Sequence, residues 1–460
     1  MYSNKNFILK FLLFSFFILS CKTVKEITKE EDIEDLKKIP QNALFFADKS
    51  NVKLLILPEF NNMLIQYYFK KYFEVWNNNY IIPNLKEYYE NFFKEEYYGE
   101  NKQKIEQDFI EKIIKNSDIN NYPSLSSEGI TVKTTELRVI PTHKPFFKDF
   151  NKAGEGYPFD YAQSYIINGN TPLKILHMTE DKEWAFVIGI FGQGWVKTND
   201  IAFVNKDIIN KIVTHKEWIV IIRDDVTIKL EEKNLFLYKV NIGAIFPLIK
   251  EKETNFVVKV IVSNEYREGV EKEVLIPKNV SNRGFMELKK GNIAKIINNM
   301  IGKPYSWGGL YGNRDCSGLV KDLFSVFGIY FPRFSYHQFQ TGIYFTIDNL
   351  PLELKEEIIK KNGFPFFTLI WMPGHIAIYI GEFENKIVIF HSLWGIKTIK
   401  DDNTESRKII GKAVITTLEP GKENNNIKST ILSRVSGISN IIPPLYIQQM
   451  IIRSNLIIQQ

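Results

Sequence analysis

The chain is predicted to be an α+β protein of several units: a helical N-terminal region, two small β-barrels and an α+β domain organised around one cysteine. Three observations predict this. A length of 460 residues exceeds what one hydrophobic core organises. Between residues 125 and 283, short apolar runs are punctuated by Gly, Pro, Asn and Asp, as in small barrels. Finally, a glycine-rich loop, Pro304-Tyr305-Ser306-Trp307-Gly308-Gly309, leads through Asp315-Cys316-Ser317-Gly318-Leu319-Val320 into helical periodicity.

Composition excludes several classes. Hydrophobic residues at 44% and charged residues at 24% are an ordinary globular balance. A net charge of +6, with no basic run interleaved with aromatics, gives no footprint for nucleic acid. Two cysteines far apart cannot build a disulfide framework. No Cys/His cluster has zinc-ligand spacing, so neither metal nor cofactor is expected.

The N-terminus reads as a secretory signal, with Lys5 and Lys10 before the apolar run Phe11 to Leu19. That run is about half the ~20 residues a membrane span needs. Ile18-Leu19-Ser20-Cys21 resembles a lipobox, with Ile18 in place of the usual leucine. The resemblance implies a signal peptide over residues 1–21, lipidation of Cys21 and export to the cell envelope, on the periplasmic or outer-membrane side.

Residues 22–39 are charged, and a solvated tether is expected there. Residues 40–124 carry aromatic clusters such as Tyr67-Tyr68-Phe69, and Ile105, Phe109 and Ile113 recur at helical spacing, so a helical region is expected. The first barrel is placed at 125–208. Its Asp181-Lys182-Glu183-Trp184-Ala185-Phe186-Val187, followed by Gly194-Trp195-Val196, resembles the end of a bacterial SH3 domain. A second SH3-like barrel is expected over 209–283, without that signature. A helix is expected over 284–302, ending at Gly302 before Pro304. It opens a catalytic domain running to residue 420, and residues 421–460 read equally as a packed arm or a loose tail.

Cys316 is the nucleophile candidate. Leu319, Val320, Leu323, Phe324 and Phe327 define one helix face, and Asp315 is placed to cap the helix. Cys316 then lies in the first turn, where the helix dipole favours a thiolate. A nucleophilic cysteine needs a base and a group to orient it. His375 opens the strand Ile376 to Ile380, and His391 ends the strand Ile387 to Phe390. A hairpin register centred on Phe383 sets the two histidines directly opposite. A shift by two keeps them on one face as diagonal neighbours, and an odd shift separates them. His337 competes as the base, whereas His143, His177 and His215 fall in the barrels.

These motifs, with Gly-His-x-Ala-Ile-Tyr-Ile-Gly at 374–381, resemble the NlpC family of papain-like cell-wall cysteine peptidases. The domain arrangement is similar to its γ-D-glutamyl-L-diamino acid endopeptidases. The resemblance implies Cys316 as nucleophile, His375 as base and His391 as orienting residue. It implies Tyr305 near the thiolate and oxyanion. It further implies substrate contacts from Asp315, Ser317 and the segment Pro332-Arg333-Phe334-Ser335, with Phe334 and Ser335 lining the pocket. Asp160 of the first barrel aligns with an acidic group that meets the substrate amine, and Phe191 stands where relatives carry a tyrosine. The substrates implied are peptidoglycan-derived stem peptides with a free N-terminal L-alanine, cut through a thioester by a lipid-anchored monomer that binds no nucleic acid. Two rivals stand: an endopeptidase or amidase acting on polymeric wall, and a non-catalytic SH3 wall-binding lipoprotein.

Overall fold

A computed structural model describes residues 33–49, 54–77 and 80–458. Cys21, the apolar run before it and residues 22–32 lie outside the described residues. No helix among the described residues is long and apolar enough to cross a membrane.

The described end of the expected tether is not a tether. Ile33, Leu36 and Ile39 form an apolar edge on the short helix Glu34–Lys38, and Ile33 and Leu36 pack on Leu393, Ile396 and Val414. Asp35 accepts hydrogen bonds from the Thr417 N–H at 2.7 Å and the Thr417 hydroxyl at 2.8 Å. Residues 33–39 therefore dock on the catalytic domain.

The helical region is built of Ala43–Lys49, Pro58–Phe73, Leu85–Phe92 and Gln107–Asn116. Its aromatic stripe joins the other units. Phe69 lies 5.4 Å from both Trp218 of the second barrel and Phe285, centroid to centroid. Trp76 donates to the first barrel at Gly129 O, 3.1 Å, and Leu173 O, 3.2 Å.

Both barrels form. The first is a seven-stranded antiparallel arrangement in which Trp184–Gly189 pairs with Gly192–Lys197, burying Trp184 and Trp195 in its core. The helix Lys206–Val213, capped by the Asn205 side chain, leads to the second barrel. That barrel has a five-stranded sheet, a two-stranded ribbon and its own core around Ile219, Phe246 and Val258.

The helix expected over 284–302 is shorter, Lys290–Met300. Gly284 is still held at the barrel edge, its N–H donating to Trp218 O at 2.7 Å, so the chain cannot turn helical before it leaves that edge. The catalytic sheet has six strands in the order Ile343–Thr346, Gly437–Asn440, Thr368–Met372, His375–Phe383, Lys386–Ile399, Glu405–Thr417. Its second strand comes from the C-terminal arm, so the arm is packed and the sheet runs past residue 420. The arm then ends in the helix Leu445–Ile458, where Gln448 bonds Leu57 N at 3.0 Å and Leu55 O at 2.9 Å.

Candidate active site

The cysteine helix is Cys316–Ser325, with Leu319, Val320, Leu323 and Phe324 fully buried. Asp315 caps it, accepting from Gly318 N at 2.8 Å. The same carboxylate accepts from Gly308 N at 3.1 Å and pairs with the buried Arg333 guanidinium. Arg333 donates further to Ser317 Oγ at 2.7 Å and to Ser164 O of the first barrel at 3.0 Å. One buried ion pair thus fixes the loop, the helix start and the barrel together. Gly308, at φ +62°, has no room for a side chain, because a Cβ would lie 2.5 Å from Gln163 Cγ. Behind the helix, Arg314 pairs with Asp224 of the second barrel at 2.6 Å and with Asp322 at 2.7 Å.

The histidine hairpin has neither the directly opposed register nor a uniform one. Phe383 pairs with Lys386 across the two-residue turn Glu384-Asn385, both residues at positive φ as a type I′ turn requires. Carried to the end, that register would put His375 and His391 on opposite faces. Between Tyr379 and Gly381 the pairing shifts by one, leaving Ile380 as the extra residue of a bulge. Beyond it, Ile378 faces Phe390, which sets the two histidines on one face as diagonal neighbours. Their rings meet, with His375 Nε2 2.9 Å from His391 Nδ1.

Hydrogen bonding assigns the protons. Thr416 Oγ1 donates to Thr417 O at 2.8 Å, so it accepts from His391 Nε2 at 3.0 Å. His391 Nδ1 is then bare and accepts from His375 Nε2–H. Nδ1 of His375 is left as the unprotonated nitrogen that can take a proton. Replacing Thr416 by Val removes the last acceptor of this chain. The loss of one buried hydrogen bond, about 1–2 kcal/mol, is expected to lower kcat about tenfold with KM nearly unchanged. Steady-state kinetics on Thr416→Val checks it.

Burial dominates the charges. Desolvation, with the Asp315 carboxylate adding to it, pushes the Cys316 thiol up to about 12, although backbone N–H groups of Ile376 and Ser317 pull the other way. Burial holds His375 down at about 4, with Arg434 adding to the effect and Asp315 opposing it. His391 lies well below its ordinary value, through burial and then His375. Burial thus opposes the thiolate that the helix dipole favours. Burial acts on both partners in the same sense, favouring the neutral thiol and the neutral imidazole.

Cys316 and His375 line one cavity of about 320 Å³. Tyr305 and Trp307 of the glycine loop, Gly154, Phe159 and Tyr161 of the first barrel, Trp394 and Arg407 of the catalytic sheet, and Ser429, Ile431 and Arg434 of the C-terminal arm are among the other residues that line it. The other expected contacts lie elsewhere. Asp315 and Ser317 are buried in the Arg333 network, where they position the nucleophile. Phe334 and Ser335 do not line the cavity, and Phe334 is exposed. Asp160 does not face it either. Its carboxylate pairs with Arg138 at 2.6 Å and accepts from Phe146 N and Ala162 N, each at 2.9 Å. Among the described residues, no acidic side chain lines the cavity. Phe191 stacks on Tyr330 at 6.0 Å, as a packing residue. His337 lines a separate cleft beside Tyr67 and Tyr330.

Arg333, Thr416 and Arg434 were not legible as site residues. Arg333 sat inside a segment singled out for its serine, Thr416 needs a strand register that no local pattern reports, and Arg434 needs the packing of the short arm helix Ile431–Arg434.

A cysteine in the first turn of a helix, backed by paired imidazoles on an antiparallel sheet, defines a papain-like cysteine hydrolase. Residues 302–409 match the NlpC/P60 family, 8–122 the N-terminal NLPC_P60 stabilising domain, 145–197 an SH3 domain of SH3b1 type and 206–253 one of SH3b2 type. Residues 302–409 are therefore an NlpC/P60 cysteine peptidase domain, and that family supports a peptidoglycan hydrolase. Among solved structures, an NlpC/P60 endopeptidase from Photobacterium damselae subsp. piscicida shares the fold at 24% identity and TM-score 0.79, over 88% of this chain and 97% of that one. An NlpC/P60 family protein from Bacillus cereus matches at 15% identity and TM-score 0.48, over 69% of this chain and 100% of that one. No curated protein matches.

Proposed function

We propose that this peptidase hydrolyses the γ-D-glutamyl-L-diamino acid bond of peptidoglycan stem peptides, tethered to the cell envelope by a lipid on Cys21. His375 Nδ1 takes the Cys316 proton as sulfur attacks the γ-carbonyl carbon. The resulting oxyanion lies near the N–H groups of the first helical turn and Tyr305. Collapse breaks the C–N bond, and the imidazolium gives its proton to the departing amine. Water, deprotonated by His375, then cleaves the thioester and the thiol is regenerated.

The observation that carries this reading is the walling of the Cys316 cavity by the first barrel and the C-terminal arm. A site confined to about 320 Å³ admits a few residues of peptide, and it is unsuited to a strand of intact wall. With no acid among the described residues that line the cavity, a preference for free L-alanine would rest on confinement instead of on an ion pair with the substrate amine.

The test uses the purified full-length protein with L-Ala-γ-D-Glu-diaminopimelate and its N-acetylated form. The reading predicts cleavage of the free peptide at least tenfold faster. Equal cleavage of both, together with release of peptide from intact sacculi, supports the polymer-directed alternative.

A further inference from the structure

The base of the relay follows a turn that fits its strands poorly. Met372 pairs with His375, so the hairpin between the strands Thr368–Met372 and His375–Phe383 turns on Pro373-Gly374 alone. The primed turns that suit such a hairpin need a positive φ at the first central residue, which proline cannot adopt. Gly374 instead takes φ +80° at the second, the type II pattern. A type II turn splays the strands it joins, and His375 is the first residue after it.

A tie from outside the hairpin steadies this turn. The peptide group between its two central residues carries Pro373 O, and Arg434 Nη2 donates to that oxygen at 2.8 Å. Arg434 ends the short arm helix Ile431–Arg434 and lines the Cys316 cavity. The carbonyls on either side of it, Ser433 O and Val435 O, accept from Lys355 Nζ at 3.4 Å and 2.7 Å. Lys355 is 2% exposed on the helix Leu352–Asn362, and among the described residues no carboxylate pairs with it. An ammonium buried without a counter-ion costs stability, and this one spends its bonds on the two neighbours of Arg434. We infer that Lys355 and Arg434 are positioning residues for the general base: Lys355 aims the Arg434 guanidinium, and Arg434 holds the turn that presents His375 to Cys316. The C-terminal arm is thereby part of the catalytic apparatus as well as a wall of the cavity.

The same placement acts through charge. Cys316, Tyr305, Lys397, Arg407 and Arg434 line the cavity with His375, His391 meets its ring, and Asp315 acts on it from the helix start. After burial itself, Arg434 lowers the proton affinity of His375, and Asp315 opposes it. Loosening Arg434 therefore raises the pH at which His375 titrates.

The experiment follows His375 by NMR of the histidine-labelled full-length protein, for the wild type, Arg434→Gln, Lys355→Met and the double variant. Two quantities are read: the titration of the ring, and the exchange with water of the Nε2–H that faces His391 Nδ1. Each single variant is expected to raise the titration by about half a pH unit and to speed the exchange about fivefold. On L-Ala-γ-D-Glu-diaminopimelate each should lower kcat about tenfold, with KM within about threefold of the wild type. The double variant should shift both NMR readouts no further than Arg434→Gln, because Lys355 acts through Arg434. A moved titration with unchanged exchange is a charge effect alone and overturns the positioning role. A Lys355→Met protein that is less stable but behaves as the wild type at His375 overturns the link between the two residues, as do additive shifts. Should Lys355→Met not fold, Arg434→Gln decides alone, since Arg434 is exposed, and unmoved readouts there overturn the tie. Neither NMR readout needs a substrate, so failure of the bond assignment proposed above leaves this test standing.

Discussion

Replacing Cys316 by Ala is expected to lower hydrolysis by at least about 10⁴-fold, with folding intact. The cysteine is half-buried beside the relay, and its backbone role, starting a helix capped by Asp315, is kept by alanine. His375→Ala is expected to cost nearly as much, because the two residues act as one unit and their losses do not add. The resting charge state adds a signature. His375 works as a base only when neutral, and burial holds it near 4. Activity expressed as kcat/KM should therefore stay level down to about pH 5 and fall about tenfold per unit below about pH 4. A limb near the ordinary histidine value would mean that the imidazole is more solvated than this cavity makes it. Stability follows the same sign. The folded form holds His375 neutral below the unfolded value of 6.5, so this contribution is complete above that pH and is lost as pH falls toward about 4.

Replacing Arg333 by Leu is expected to destabilise the catalytic domain by about 3–5 kcal/mol, the cost of leaving a buried carboxylate without its partner. The Asp315–Arg333 pair has side chains only 8% and 7% exposed, and among the described residues no second cation is paired with Asp315. Neutralising the orphaned acid should restore much of the loss, so the double variant Arg333→Leu with Asp315→Asn is expected to recover more than half of it. Urea unfolding followed by tryptophan fluorescence, with the alkylation rate of Cys316 measured alongside, separates loss of the domain from loosening of the cysteine loop. A single variant as stable as the wild type would show that the ion pair contributes orientation only.

Much of the domain order was legible because each boundary coincides with a change of periodicity. The Cys316 helix was visible from its capping aspartate and its single apolar face. The first barrel was visible from its tryptophan strand. What local pattern could not report was pairing between distant segments. Ile380 looks like any other residue of an alternating strand, yet as the extra residue of a bulge it decides whether His375 and His391 share a face. Thr416 joins the relay only because the strand Glu405–Thr417 pairs with Lys386–Ile399 in the observed register. Asp160 was read as a substrate ligand through the resemblance, which sets an acidic group of the first barrel against the substrate amine. Its neighbours Phe159 and Tyr161 do reach the cavity, whereas Asp160, in the loop before the strand Gln163–Ile167, turns away to Arg138. The arm after residue 420 offered few strand signals, since Gly437–Asn440 is four residues long and forms between two strands already in place.

The most direct measurement of the central claim is mass spectrometry of the full-length protein during turnover of L-Ala-γ-D-Glu-diaminopimelate. The account predicts a transient L-Ala-γ-D-Glu adduct on Cys316, and free diaminopimelate and L-Ala-D-Glu as the only products. An adduct elsewhere, or cleavage of the alanyl-glutamate bond, would contradict it.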